Sequence, residues 1–165
     1  MAAPRVLRFF ILSFGLLFSL VCFSDDHLKK NAHPFVFHLI QAALWDAAVE
    51  TKTSYFPPTY EVDGFTHGTS NPDKLLNVAN HFYKNVEGEW YCLRMTVDSL
   101  AGTGVDVVFE GTAPVGEKQP DFEGADDELF PHIHGGIHPD AVLEAHRVTR
   151  SVDGTFVSIA GVAGN

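Results

Sequence analysis

The chain has 165 residues, 45% of them hydrophobic, and a formal net charge of −10, which suits one domain with its own core. An acidic field of this size repels phosphate backbones, and the only basic pair is Lys29-Lys30, so composition argues against nucleic acid as a partner. Two cysteines, Cys22 and Cys92, exclude a disulfide-stapled scaffold.

Arg5 and Arg8 precede an apolar run of 15 residues from Phe9 to Phe23, shorter than the roughly 20 residues a spanning helix needs. Cys22 and Ser24 fit the −3 and −1 positions of a cleavage site, and Asp25-Asp26 follow. Residues 1–24 therefore read as a secretory signal peptide, placing the protein outside the cell or in the secretory lumen with no membrane contact after cleavage. An uncleaved signal anchor that tethers the domain is the alternative. Removal leaves nine Lys and Arg against 21 Asp and Glu, a net charge of −12, and Cys92 as the lone thiol. Residues 25–34 read as a disordered lead-in, 35–160 as a single domain and 161–165 as a tail.

Phe35 to Ile40 is β-branched and aromatic and predicts a buried strand. Gln41 to Glu50, rich in Ala and Leu, predicts a helix packed by Trp45. Pro57-Pro58 and Asp63-Gly64 mark 51–63 as a loop. Phe65 to Thr69 is a short extended piece. Ser70-Asn71-Pro72-Asp73 then starts a helix, with Ser70 or Asn71 as N-cap; Leu75, Leu76, Val78, Ala79, Phe82 and Tyr83 recur at helical spacing. Glu89–Val97 predicts a strand with Leu93, Met95 and Val97 on one face and Cys92, Arg94 and Thr96 on the other; Cys92 is expected to be buried and inert. Val105–Glu110 predicts another strand. Residues 111–129 hold six acids, two prolines and three glycines and read as a mobile acidic loop. Ala141–Thr149 and Thr155–Ile159 close the domain as strands around a turn at Asp153-Gly154. Helices early and strands late predict an α+β fold with a mixed or antiparallel sheet and two main helices.

Chemistry concentrates in the histidines. His132, His134 and His138 offer three imidazoles to a metal, yet Gly135-Gly136 and Pro139 interrupt the geometry, so no metal is expected. Ser70 stands near His67, but no Gly-x-Ser-x-Gly elbow accompanies it, and capping already accounts for it. Glu110 ends a strand and could serve as a site acid. His38 lies within an apolar strand, His67 ends an extended segment, and His132 follows the acidic loop.

Three elements carry a family resemblance: Phe37-His38-Leu39 with Trp45 downstream, Gly64-Phe65-Thr66-His67, and Phe130-Pro131-His132. Together they resemble the domain of unknown function 952 family over about residues 35–158. Two departures stand out. His134 occupies a position where the family usually has Tyr, and the segment after His67 is one residue longer. The resemblance implies a split-sheet, ADP-ribosyltransferase-like fold that clasps NAD, with His38, His67 and His132 as catalytic residues. It implies His38, Phe65, His67 and Ser70 as cofactor contacts, with His38 on a ribose, Ser70 and the helix start behind it as phosphate donors, and His132 as an acid or base. Three functions stay open: a transferase-like domain binding NAD or a related nucleotide, a non-enzymatic module for a small anionic ligand on the same fold, and, least favoured, a metal-dependent hydrolase on His132, His134 and His138.

Overall fold

In β1 (Val36–Gln41) the side chains alternate between two hydrophobic clusters: Val36 and Ile40 join one, Phe37 and Leu39 the other. A strand apolar on both faces belongs in the middle of a layered domain. The computed structural model describes residues 33–164, so the signal segment and most of the lead-in lie outside the described residues. Among the described residues no helix is long and apolar enough to cross a membrane.

After β1 come α1 (Ala42–Thr51), the one-turn α2 (Tyr60–Asp63), β2 (Thr66–His67) and α3 (Leu75–Tyr83). They are followed by β3 (Trp90–Met95), the short α4 (Val97–Ala101), β4 (Asp106–Glu110), β5 (Phe130–His134), β6 (Glu144–Arg150) and β7 (Phe156–Ile159). The strands form two sheets, a four-stranded β1-β3-β6-β7 and a three-stranded β2-β5-β4, with every named pair antiparallel. The fold is α+β, as expected, with α1 and α3 as its two main helices.

β3 repeats the two-sided burial: Leu93 and Met95 face the cluster containing Trp45 and Ile133, while Trp90 and Cys92 face the one containing Leu75 and Ala79. Burial of Cys92 pushes its thiol up to about 12, so it is inert at neutral pH.

Several boundaries depart from the expectations. The 51–63 loop contains α2, whose last turn is closed by Gly64 at φ 78°, its N–H donating to the Tyr60 carbonyl; that left-handed conformation is one glycine adopts without steric cost. Asn71, not Ser70, is the N-cap: its side chain accepts from the Asp73 N–H at 3.0 Å and starts a short 3₁₀ turn, Pro72–Lys74, ahead of α3. Residues Pro139–Ala141 form another 3₁₀ turn, and β6 begins only at Glu144.

The predicted strand through Val97 stops at Met95 because Thr96 and Ser99 form a capping box. Thr96 Oγ1 accepts from the Ser99 N–H at 3.0 Å, and Ser99 Oγ accepts from the Thr96 N–H at 2.9 Å. Thr96→Ala is expected to cost about 1 kcal/mol, read in urea as a lower midpoint with an unchanged slope; an unchanged midpoint would mean the box is not what holds α4.

A backbone bridge ties the two sheets together. Phe37 and Thr69 exchange backbone hydrogen bonds of 2.8 and 2.9 Å, which ties the chain just past β2 to the free edge of β1. His38 and His67 sit beside this junction.

Candidate functional site

β2 and β5 pair with His67 directly opposite His132, and β4 brings Glu110 opposite Phe130, two residues along from His132. Alternation along β5 sends Ile133 into the core and the flanking histidines to the other face. Glu110 and His132 are therefore diagonal neighbours on one face, and they meet: His132 Nδ1 lies 2.9 Å from Glu110 Oε2. Phe65 stacks on the His132 ring, centroids 3.9 Å apart and planes 14° from parallel, which fixes the ring's orientation.

His67 has its own carboxylate. Its Nε2 lies 3.0 Å from Asp63 Oδ2, and the other oxygen of Asp63 accepts from the Gly116 N–H at 3.0 Å. The two rings stand edge-to-face, 6.1 Å apart. His38 lies 2.7 Å from the His67 carbonyl through Nδ1. Carbonyls and carboxylates only accept, so these contacts assign the hydrogens. Neutral His38 and His132 carry theirs on Nδ1 and present Nε2 as an acceptor, whereas neutral His67 carries its hydrogen on Nε2.

All three imidazoles are held below the ordinary histidine range, in each case chiefly by burial. His38 is the extreme, lowered to about 4, because only its bond to the His67 carbonyl opposes desolvation. For His67 and His132 the hydrogen bonds to Asp63 and Glu110 work the other way without overcoming burial. At neutral pH the site therefore holds uncharged imidazoles, two of them backed by carboxylates.

A cleft opens beside this group, lined by His38, His67 and His132, by Phe82 and Tyr83 of α3, and by Phe122 and Phe130 among others. Among the described residues no lysine or arginine lines it. One wall, Thr112 to Phe122, belongs to the acidic segment. That segment was expected to be mobile, but it is anchored: Lys74 donates to the Gly124 carbonyl at 2.6 Å and to Asp127 at 3.1 Å, Asn71 donates to Glu128 at 3.1 Å, and Asp63 holds Gly116.

The structure thus brings His38, His67 and His132 together around one cleft. Phe65 stands behind His132 rather than in the cleft wall, and Ser70, buried with its hydroxyl unpartnered, does not line it. His134 shares the face of His132 but is exposed. His138 points elsewhere, its Nδ1 accepting from the Asp140 N–H to cap the 139–141 turn and its Nε2 donating to the Lys52 carbonyl at 3.2 Å. Among the described residues no three His, Cys, Asp or Glu side chains are grouped to hold a metal ion. Asp63 was missed because Asp-Gly reads as a turn; its signal was the four-residue spacing to His67.

A family model described as a protein of unknown function, DUF952, matches residues 39–145. Among solved structures the chain is similar to protein CC0527 from Caulobacter crescentus, with 16% identity and a TM-score of 0.55 over 74% of this chain and 92% of that one; a double mutant of the same protein gives the same values. At that identity the likeness concerns the fold alone. No curated protein matches.

Proposed function

We propose, for a chain that belongs to the DUF952 family of proteins of unknown function, that the junction of its two sheets is an ADP-ribosyltransferase-like cleft that binds a ribose-bearing small molecule. The observation that carries this reading is the buried Nε2 of His38, an acceptor with no hydrogen-bond partner among the described residues. A buried acceptor left unmatched is costly, and a ligand hydroxyl is the donor that would satisfy it. Aromatic side chains on α3, on β5 and in the acidic segment wall the cleft beside that hydroxyl. His132 supplies a base: Glu110 holds Nδ1–H, and Nε2 carries the lone pair that can take a proton from a bound hydroxyl. Phe65 and Glu110 position that ring, and Asp63 does the same for His67.

NAD, the ligand the resemblance implies, fits this site only in part. Its ribose and rings match His38 and the aromatic walls. Its pyrophosphate finds no lysine or arginine in the lining, and the helix start behind Ser70 offers it little, since Pro72 has no N–H and that of Asp73 is already held by Asn71. No step is therefore assigned to NAD.

The test is calorimetric titration with adenosine, ADP-ribose and NAD of the wild type and of His38→Asn, whose amide can still donate to the His67 carbonyl but reaches no further toward the cleft. At least one ribose compound is expected to bind the wild type, and the variant is expected to lose roughly tenfold or more in affinity. No binding by any of the three, or equal binding by the variant, would overturn the reading. His134→Ala, altered outside the cleft lining, is expected to bind as the wild type does.

A further inference from the structure

Past His38 the empty space continues. A second chamber is lined by Leu44 of α1, Tyr55, Pro57, Pro58 and Trp90. His38, Leu39, Tyr83 and Val115 line both chambers, so they are neighbouring parts of one site divided at the imidazole. Among the described residues no lysine, arginine, aspartate or glutamate lines the second chamber.

We propose that the two chambers together take an uncharged nucleoside-like ligand, with its sugar at His38 and its aromatic base in the second chamber, and that a dinucleotide is not the preferred ligand. This rests on the cleft reading above and names its ligand class. Two buried side-chain atoms around the second chamber lack partners, and they are of opposite sense: His38 Nε2 accepts, while Trp90 Nε1 can only donate. A nucleoside carries the complementary pair, hydroxyl donors on the sugar and acceptor atoms on the base. Tyr55, Tyr83 and Trp90 give the base aromatic neighbours, and Leu44 with the two prolines gives it an apolar wall.

Charge excludes the larger ligand. A buried pyrophosphate needs cationic partners or a dense set of donors. Among the described residues, Lys74 is held by the Gly124 carbonyl and Asp127, Lys118 by the His81 carbonyl, and Arg150 by the carbonyls of Lys84, Val86, Gly88 and Gly154. Glu110, bonded to His132 of the first chamber, adds negative potential there.

The experiment compares adenosine, methyl riboside and NAD by calorimetry at low ionic strength on the wild type and on Leu44→Trp, which fills the second chamber and leaves His38 untouched. Adenosine is expected to bind the wild type at least tenfold tighter than NAD. Leu44→Trp is expected to weaken adenosine at least tenfold and to leave methyl riboside unchanged. NAD binding as tightly as adenosine, or adenosine binding unaffected by Leu44→Trp, would overturn this inference while the cleft reading stands. Failure of every ribose compound to bind the wild type would overturn both. Thermal unfolding of Leu44→Trp close to that of the wild type confirms that a lost affinity reports the chamber and not the fold.

Discussion

Acidification from pH 6.5 to 4 is expected to remove about 3 kcal/mol of folding stability through His38 alone, the equivalent of its displacement from an ordinary 6.5 to about 4. The sign follows from proton counts. Between those two pH values the unfolded chain holds a proton on His38 and the native chain does not, so stability falls as pH falls. Above pH 6.5 both states are neutral at this position and the contribution is flat; below about 4 both are protonated and it is flat again. The group is completely buried, so solvent screening does not dilute the effect. His67 and His132, also lowered by burial, act in the same direction as pH falls below the ordinary histidine value. Urea denaturation at several pH values between 7 and 4, on the wild type and on His38→Asn, measures this. The variant should show a much shallower loss of stability with acid, keeping only the share of the other two histidines and of Asp153, which its hydrogen bonds hold low. Parallel curves for the two proteins would show that His38 does not enter the native state uncharged.

The same burial explains how much of the site could be read in advance. His38, His67 and His132 stand in segments whose apolar patterning is visible in the sequence, so their convergence at one cleft followed once the strands were placed. The carboxylates were harder. Glu110 could be named as a strand-end acid, but its bond to His132 depends on the β4–β5 register, which no local pattern specifies. Asp63 sits in an Asp-Gly pair whose turn signal masked both α2 and the bond to His67. The cluster His132, His134 and His138 misled in the other direction, because nearness in sequence does not gather side chains into one site: His134 shares the face of His132 but is exposed at the end of β5, and His138 caps the 139–141 turn. For the fold, alternation in β3 correctly separated Leu93 and Met95 from Cys92 but could not reveal that both faces are covered. It also ran past Thr96, where a capping box overrides strand propensity. The acidic segment illustrates a limit of composition. Its charge suggests a solvated loop, yet Lys74, Asn71 and Asp63, all distant in sequence, hold it against the cleft.

Gly68→Val is expected to destabilise the protein by about 3 kcal/mol, toward the upper end of overpacking costs, and to disturb the site in the same step. Gly68 and Gly64 are four residues apart and are needed for opposite reasons. Gly64 has open space around its Cα but a positive φ of 78°, so its conformation excludes other residues. Gly68 has no such conformational demand, but a Cβ there would lie 2.9 Å from both Cγ and the carbonyl oxygen of Pro131 and 3.2 Å from Cγ1 of Val36. Pro131 is a rigid ring at the centre of the small sheet, and its carbonyl already accepts from the Gly68 N–H at 2.8 Å. Val36 is locked in the core. Neither neighbour can swing aside as the end of a flexible side chain would, so the chain after β2 must move. The residue before Gly68 is His67, whose carbonyl holds the Nδ1–H of His38, and the residue after it is Thr69, which closes the junction between the sheets. Displacement therefore lengthens the His67–His38 bond and opens the fork on which the cleft is built. Urea denaturation reads the first effect, and the slowly exchanging Nδ1–H proton of His38 in the NMR spectrum reads the second; that signal should vanish or shift upfield in the valine variant. A stable variant with the proton signal unmoved would mean that the sheets can separate at Gly68 without consequence for His38, and the tight approach of β2 to Pro131 would not be what sets the geometry of the site.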